Sequence, residues 1–300
     1  MPRNIIYIIN PISGNRPKKD LQPIIEKKTS AAKIPFQFFP SVASGDYSFL
    51  HSIIKEERIT DVIIAGGDGT VSQVVSSLMN SNVNFGIIPC GSGNGLALTA
   101  KIPVAAAKAL DIVFNGKPAA IDGFYINQQF ACMLCGLGFD AKVAHDFSQQ
   151  SKRGLATYVK QVIKNFFTAK TYTFELQVGK RRMQTEAYFI SIANSNQFGN
   201  NVTIAPKASL NDGLLDIVIV TNQNKLSVLL QTFKQVLGKN KLQPGFISGK
   251  KKGVIYFQTD KLHIINHSQA PLHIDGDPAE TFSELTITVK KKCFRLIQPA

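Results

Sequence analysis

Apolar residues fall along the first 120 positions in short, nearly unbroken runs at 5–9 (IIYII), 61–65 (DVIIA) and 85–88 (FGII), with a fourth and more mixed run at 35–39 (PFQFF). Runs of this length without polar alternation predict strands covered on both faces, as in a parallel sheet. Between them apolar residues recur at helical spacing in 71–79 (VSQVVSSLM) and, more briefly, in 96–100 (LALTA). After Asp122 the pattern changes. Strand-like runs follow at short intervals, at 125–127, 131–134, 171–178, 183–193, 215–220, 254–258, 262–265 and 286–289, which predicts a β-sandwich or distorted barrel. Two helical stretches interrupt it. Residues 154–169 gather Leu155, Tyr158, Val159, Val162, Ile163, Phe166 and Phe167 on one face, and 225–239 gather Leu226, Leu229, Leu230, Phe233, Val236 and Leu237. Such faces serve equally for packing on a sheet or as an apolar lip for a lipid tail. The expected architecture is α/β: a three-layer N-terminal domain over 1–122, joined without repeat or low-complexity linker to a C-terminal β-sandwich domain over 123–300.

Three of the predicted strands end in polar, glycine-rich loops: Asn10-Pro11-Ile12-Ser13-Gly14, Gly66-Gly67-Asp68-Gly69-Thr70 and Pro89-Cys90-Gly91-Ser92-Gly93-Asn94-Gly95. Glycine lets the backbone approach an anion closely, and the first turn of a following helix offers N–H groups backed by the helix dipole. The carboxyl edge of a parallel sheet is also where such folds hold their ligands. The GGDGT junction therefore reads as a nucleotide-phosphate site with Mg²⁺ nearby, although a tight strand-to-helix turn needs the same glycines. It is neither a Walker loop nor a Rossmann GxGxxG.

The set NPISG, GGDGT and PCGSGNGLA resembles the diacylglycerol kinase and sphingosine kinase family of lipid kinases, in its small bacterial form. GGDGT alone is shared with NAD kinases. The likeness extends to Ala193-Asn194, Gly199, Ile204-Ala205-Pro206, Asn211-Asp212-Gly213-Leu214-Leu215-Asp216 and Ile274-Asp275-Gly276-Asp277, a set that NAD kinases lack. The resemblance implies an ATP- and Mg²⁺-dependent lipid kinase. It assigns nucleotide binding to Asn10, Ser41, Gly66, Gly67, Asp68, Gly69, Thr70 and Ser92. Asp68 is expected to meet Mg²⁺ through water rather than to hold the fold, with Asp122 in the same carboxylate network. A second Mg²⁺ is implied at Ser209, Asp212 and Leu214, the first and last through their carbonyls; an Asn-Asp-Gly turn describes the same residues without metal.

The acceptor's proton is expected to go to the late acidic motif. If that motif lies in a strand, Asp275 and Asp277 project to one face; a polar β-turn is the alternative. The family's motif usually reads Asp-Gly-Glu with Glu as base, whereas this chain carries Asp277, one methylene shorter. That departure leaves Asp275 as reserve candidate and a catalytically weak lipid-binding or regulatory protein as an alternative function. A soluble-substrate kinase of the NAD kinase type is the other alternative.

Composition changes this picture chiefly through charge. Residues 1–150 carry 13 basic and 11 acidic side chains, net +2, whereas 151–300 carry 21 and 9, net +12. The basic runs Lys180-Arg181-Arg182, Lys250-Lys251-Lys252 and Lys290-Lys291-Lys292 and the stretch 152–170 suit an anionic membrane surface, and equally a solvated face. No recognised nucleic-acid motif accompanies them, so no nucleic-acid partner is expected. The first apolar run is too short for a signal-peptide core and none approaches a membrane span, so the expected location is cytoplasmic and peripheral at the membrane. A homodimer is compatible with the sequence. Cys90, Cys132, Cys135 and Cys293 read as reduced thiols, and His263 and His267 as ordinary core or surface histidines despite their spacing.

Overall fold

The buried runs of the first 120 residues form a parallel sheet in a computed structural model that describes residues 2–14, 20–139, 141–142, 169–199, 202–222 and 253–300. The helical stretches predicted at 154–169 and 225–239 lie outside the described residues, apart from position 169. The chain divides into two compact units, 2–121 with 292–300, and 122–291.

In the first unit, strands and helices alternate as β1 (Ile5–Ile9), α1 (Leu21–Ala31), β2 (Phe36–Pro40), α2 (Leu50–Glu56), β3 (Asp61–Gly66), α3 (Asp68–Leu78), β4 (Asn84–Pro89), α4 (Gly95–Thr99) and α5 (Ala106–Asn115). β2 and β3 flank β1, and β4 follows β3, all parallel. Ile5, Ile6, Tyr7 and Ile8 are fully buried, as are Val62, Ile63 and Ile64, so these strands are covered on both faces, as their unbroken apolar runs require. Beyond the strand ends the ladder continues: Asn10 N–H donates to Ala65 O, Ser41 N–H to Ile9 O and Cys90 N–H to Gly66 O, each at 2.9 Å. These bonds bring the loops after β1, β2, β3 and β4 to one edge.

Helix α3 begins three residues earlier than its apolar spacing predicts. Gly67 is its extended N-cap, and Val71 N–H donates to Gly67 O at 3.0 Å, so Asp68, Gly69 and Thr70 form the first helical turn. An acidic residue there is favoured by the helix dipole, which apolar periodicity does not register.

The second unit is antiparallel. Its strands are β5 (Lys117–Ile126, which enters from the first unit), β6 (Gln129–Ala131), β7 (Leu134–Gly138), β8 (Tyr172–Val178), β9 (Arg181–Ala193), β10 (Gln197–Gly199), β11 (Val202–Thr203), β12 (Leu215–Thr221), β13 (Val254–Thr259), β14 (Lys261–Asn266), β15 (Leu272–Ile274), β16 (Asp277–Ala279) and β17 (Glu284–Gln298). β9 organises them. Its first half pairs with β8, while its second half pairs with β7 on one side and β12 on the other. Burial along it changes accordingly, from alternation over 181–186 to seven consecutive buried residues over 187–193. Phe124, Phe174, Ile190, Ile217, Phe257, Leu262 and Ile287 meet in the core of this sandwich. His263 joins β14 to β17 through a 2.7 Å contact with Glu284.

β17 returns the chain to the first unit. Arg295 and Leu296 pair in parallel with Asn84 and Phe85 of β4, and Phe294 packs edge-on against Phe85. A single boundary near Asp122 does not provide for this return: the last nine residues, 292–300, belong with the first unit rather than with 123–291.

Candidate active site

Within the first unit, three glycine loops meet backbone to backbone. A Cβ added at Gly91 would lie 2.6 Å from Gly67 Cα, and one added at Gly14, where φ is +63°, would lie 2.1 Å from Cys90 O. Side chains are therefore excluded where the NPISG, GGDGT and PCGSG loops touch. Asn10 Nδ2 donates to Thr70 Oγ1 at 2.8 Å and its Oδ1 accepts from Ile12 N–H at 3.0 Å, joining the first loop to the first turn of α3. Asn94, in the left-handed region at φ 54°, closes the third loop on itself. Its Oδ1 accepts from Gly91 N–H and its Nδ2 donates to Gly91 O, both at 2.8 Å. Ser92 lies inside that pinched turn and is half-buried, as is Ser41. All eight nucleotide candidates thus sit at one edge of the parallel sheet. Asn94, which shapes the loop, stands in the motif but not among the site candidates, because an asparagine between glycines looks like any turn residue.

Asp68 holds the fold as well, contrary to expectation. Its Oδ2 accepts from Gly95 N–H at 3.0 Å and its Oδ1 from Leu96 N–H at 3.3 Å, tying GGDGT to the start of α4. A carboxylate oxygen can accept more than one hydrogen bond, so these bonds are compatible with a water-mediated metal contact. The first-turn N–H groups of α3, which have no carbonyl upstream within the helix, and the side-chain-free contact at Gly67 and Gly91 suit a polyphosphate with its cation. Asp68→Asn is expected to lose about 1–2 kcal/mol of stability, because the amide presents a donor to one of these N–H groups. Thermal melting checks this, and a midpoint equal to wild type would refute the tie.

In the second unit the late acidic motif is a hairpin. Ile274 pairs with Asp277 across a two-residue turn at Asp275 (φ 49°) and Gly276 (φ 88°). Positive φ at both central positions is the pattern of a type I′ turn, for which Asp-Gly is a favoured pair. The projection of both carboxylates to one strand face is thereby overturned. Asp275 is 5 % exposed. Its Oδ2 accepts from Cys132 N–H at 3.0 Å, and its Oδ1 from Met133 N–H at 3.0 Å and Leu134 N–H at 2.9 Å. These three N–H groups lie where the chain passes from β6 to β7, so the carboxylate occupies the break in the ladder. Cys132 and Cys135 are buried and in no disulfide, and Cys132 Sγ lies 3.8 Å from Asp275 Oδ2. Asp277, at the start of β16, is exposed.

Asp122 is fully buried and anchors a turn. Its Oδ2 accepts from Gly213 N–H at 2.6 Å and its N–H donates to Leu210 O at 2.7 Å. The implied second-metal residues lie on that turn. Ser209 Oγ donates to Asn211 Oδ1 at 3.1 Å, and Asp212 Oδ1 accepts from Leu214 N–H at 3.0 Å. One exposed carboxylate with two carbonyls is reasonable donor chemistry for Mg²⁺. The fit is loose, however: a Cβ at Gly213 would lie 3.0 Å from Lys291 Nζ, so an ammonium already borders the turn. Among the described residues, no three His, Cys, Asp or Glu side chains gather as a metal cluster. Nearby, burial pushes the Asp216 carboxyl upward, against the hydrogen bonds from Gln258 and Tyr256 that pull it down. Tyr256 OH also accepts from Lys207 N–H at 3.1 Å, securing the segment before the turn.

The diacylglycerol kinase catalytic domain matches residues 4–126, and the YegS C-terminal NAD kinase beta sandwich-like domain matches 134–297, more than half of the chain. The chain belongs to the diacylglycerol kinase-like family of lipid kinases. Relatives in this family include the probable lipid kinase YegS of Escherichia fergusonii, 29% identical over 242 residues that cover 78% of this chain and 77% of the relative. YegS of Shigella flexneri gives the same identity over 242 residues, 78% and 77%. A crystal structure of a diacylglycerol kinase from Bacillus anthracis str. Sterne superposes with a TM-score of 0.72 at 18% identity, covering 99% of this chain and 97% of that one; it bears on the fold alone. In this lipid kinase family the α/β unit and the sandwich are the two matched domains, and kinase membership implies use of ATP.

Proposed function

We propose that the protein is an ATP-dependent lipid kinase transferring the γ-phosphate to a hydroxyl of a membrane lipid, diacylglycerol-like or sphingoid-like. The observation that carries this reading is the meeting of three glycine loops at one edge of the parallel sheet, with Gly67 against Gly91 and Gly14 against Cys90. Phosphoryl transfer depends mostly on positioning and charge neutralisation. Gly66, Gly67, Gly69 and Thr70 cradle phosphate oxygens, and Asn10, Ser41 and Ser92 border the nucleotide. Mg²⁺, when bound, supplies charge neutralisation at the phosphates, with Asp68 its partner through water. Asp277, exposed on its hairpin, takes the acceptor's proton.

The test is to give the purified protein labelled ATP and a total-lipid extract. Label in the organic phase is expected. Label in a soluble phosphorylated product alone would point to an NAD kinase-type substrate. No transfer at all would favour the lipid-binding alternative, which the shorter Asp277 supports.

The protein is further read as cytoplasmic and peripheral at an anionic membrane. Among the described residues no helix is long and apolar enough to cross a bilayer, and the β8–β9 turn and the start of β9 expose Lys180, Arg181 and Arg182. Vesicle binding should rise with anionic lipid and fall as salt screens charges beyond about 8 Å. Equal, salt-insensitive binding to neutral and anionic vesicles would refute this.

A further inference from the structure

Asn194 is fully buried at the end of β9, and its orientation is forced. Its Nδ2 donates to Asp122 O at 2.8 Å and to Cys132 O at 3.0 Å. Both partners are carbonyls, which only accept, so the amide nitrogen must face them. Its Oδ1 is consequently turned to a buried place where, among the described residues, no donor meets it. The backbone around it continues the connection. Asn194 N–H and Ser195 N–H both donate to Met133 O, at 2.8 and 2.9 Å. The N–H groups of Cys132, Met133 and Leu134 are in turn held by Asp275.

A single path of hydrogen bonds therefore runs from the hairpin bearing Asp277, through Asp275 and the 132–134 break, across Asn194, to Asp122 and the turn at Gly213. We propose that Asn194 is a positioning residue, coupling the Asp275 hairpin to Asp122, and that its Oδ1 holds a buried water. The catalytic part of this inference rests on the lipid kinase reading above; the coupling does not. A buried amide oxygen without a donor is costly, and water is the usual remedy in a polar interior. The consequence for turnover follows from geometry. Through Cys132 and Met133, Asn194 sets where the segment under the Asp277 hairpin sits, and misplacement by about 1 Å costs on the order of 100-fold in rate.

The test compares wild type with Asn194→Ala and with Asn194→Ser, which keeps one donor and serves if the alanine variant does not fold. Hydrogen exchange is followed at 132–134 and 274–277, alongside kcat and the KM for ATP on the total-lipid extract. Faster exchange in both segments, with kcat lower by about 100-fold and an unchanged KM for ATP, is the expected result. Unchanged exchange in 274–277, or full kcat despite faster exchange, overturns the proposal. If wild type phosphorylates no lipid, the kinase reading fails, and the exchange measurement still decides whether Asn194 couples the two segments.

Discussion

Asp275→Ala is expected to destabilise the second unit strongly rather than merely silence the enzyme. The carboxylate accepts three backbone N–H bonds from residues 132–134. Removing it strands three buried donors at a site 5 % exposed. Charge-assisted bonds of this kind are each worth about 1.5–3 kcal/mol, and losses within one network are not additive, so an overall penalty on the order of 3–5 kcal/mol follows. Total stabilities of about 5–15 kcal/mol leave little margin for this. Asp275→Asn keeps one oxygen acceptor and should fall between alanine and wild type. The measurement is the thermal midpoint, expected to drop by about 10 °C for alanine. A midpoint within about 2 °C of wild type, together with lost turnover, would instead make Asp275 the base.

Asp277→Asn is expected to behave in the opposite way. Its side chain is exposed and begins β16, so stability should stay close to wild type. Turnover should fall by about 10²–10⁴-fold, the usual scale for loss of a general base. The KM for ATP should change little, because the nucleotide candidates all lie in the first unit. Asp277→Glu restores the usual family residue and should retain or raise kcat. Measured side by side on one lipid, full activity in Asp277→Asn would remove Asp277 from the reaction.

The contrast between these neighbouring carboxylates was not legible in the sequence. An alternating reading of IDGD places both on one face, and only the turn alternative matches the hairpin found. Gly276 at φ 88° and Asp275 at φ 49° decide it. Once the chain reverses there, the first carboxylate faces inward to the 132–134 break and the second lies exposed on the returning strand. Asp68 is a similar case. Its place in GGDGT suggested chemistry alone, while its bonds to Gly95 and Leu96 depend on a loop 27 residues away in the chain.

What the sequence determined by itself is local and periodic. Unbroken apolar runs specified the parallel strands, short intervals between runs specified the sandwich, and glycines after strand ends marked the loops that meet at one edge, because each follows from neighbours within a few residues. The tertiary structure alone decided the long-range bonds: the return of 292–300 to β4, the anchoring of the Gly213 turn by Asp122, and the links that Asn194 makes 62 and 72 residues back along the chain. Such partners are chosen by which buried donors and acceptors the packed strands leave facing one another, and that geometry exists only after the sheets have formed.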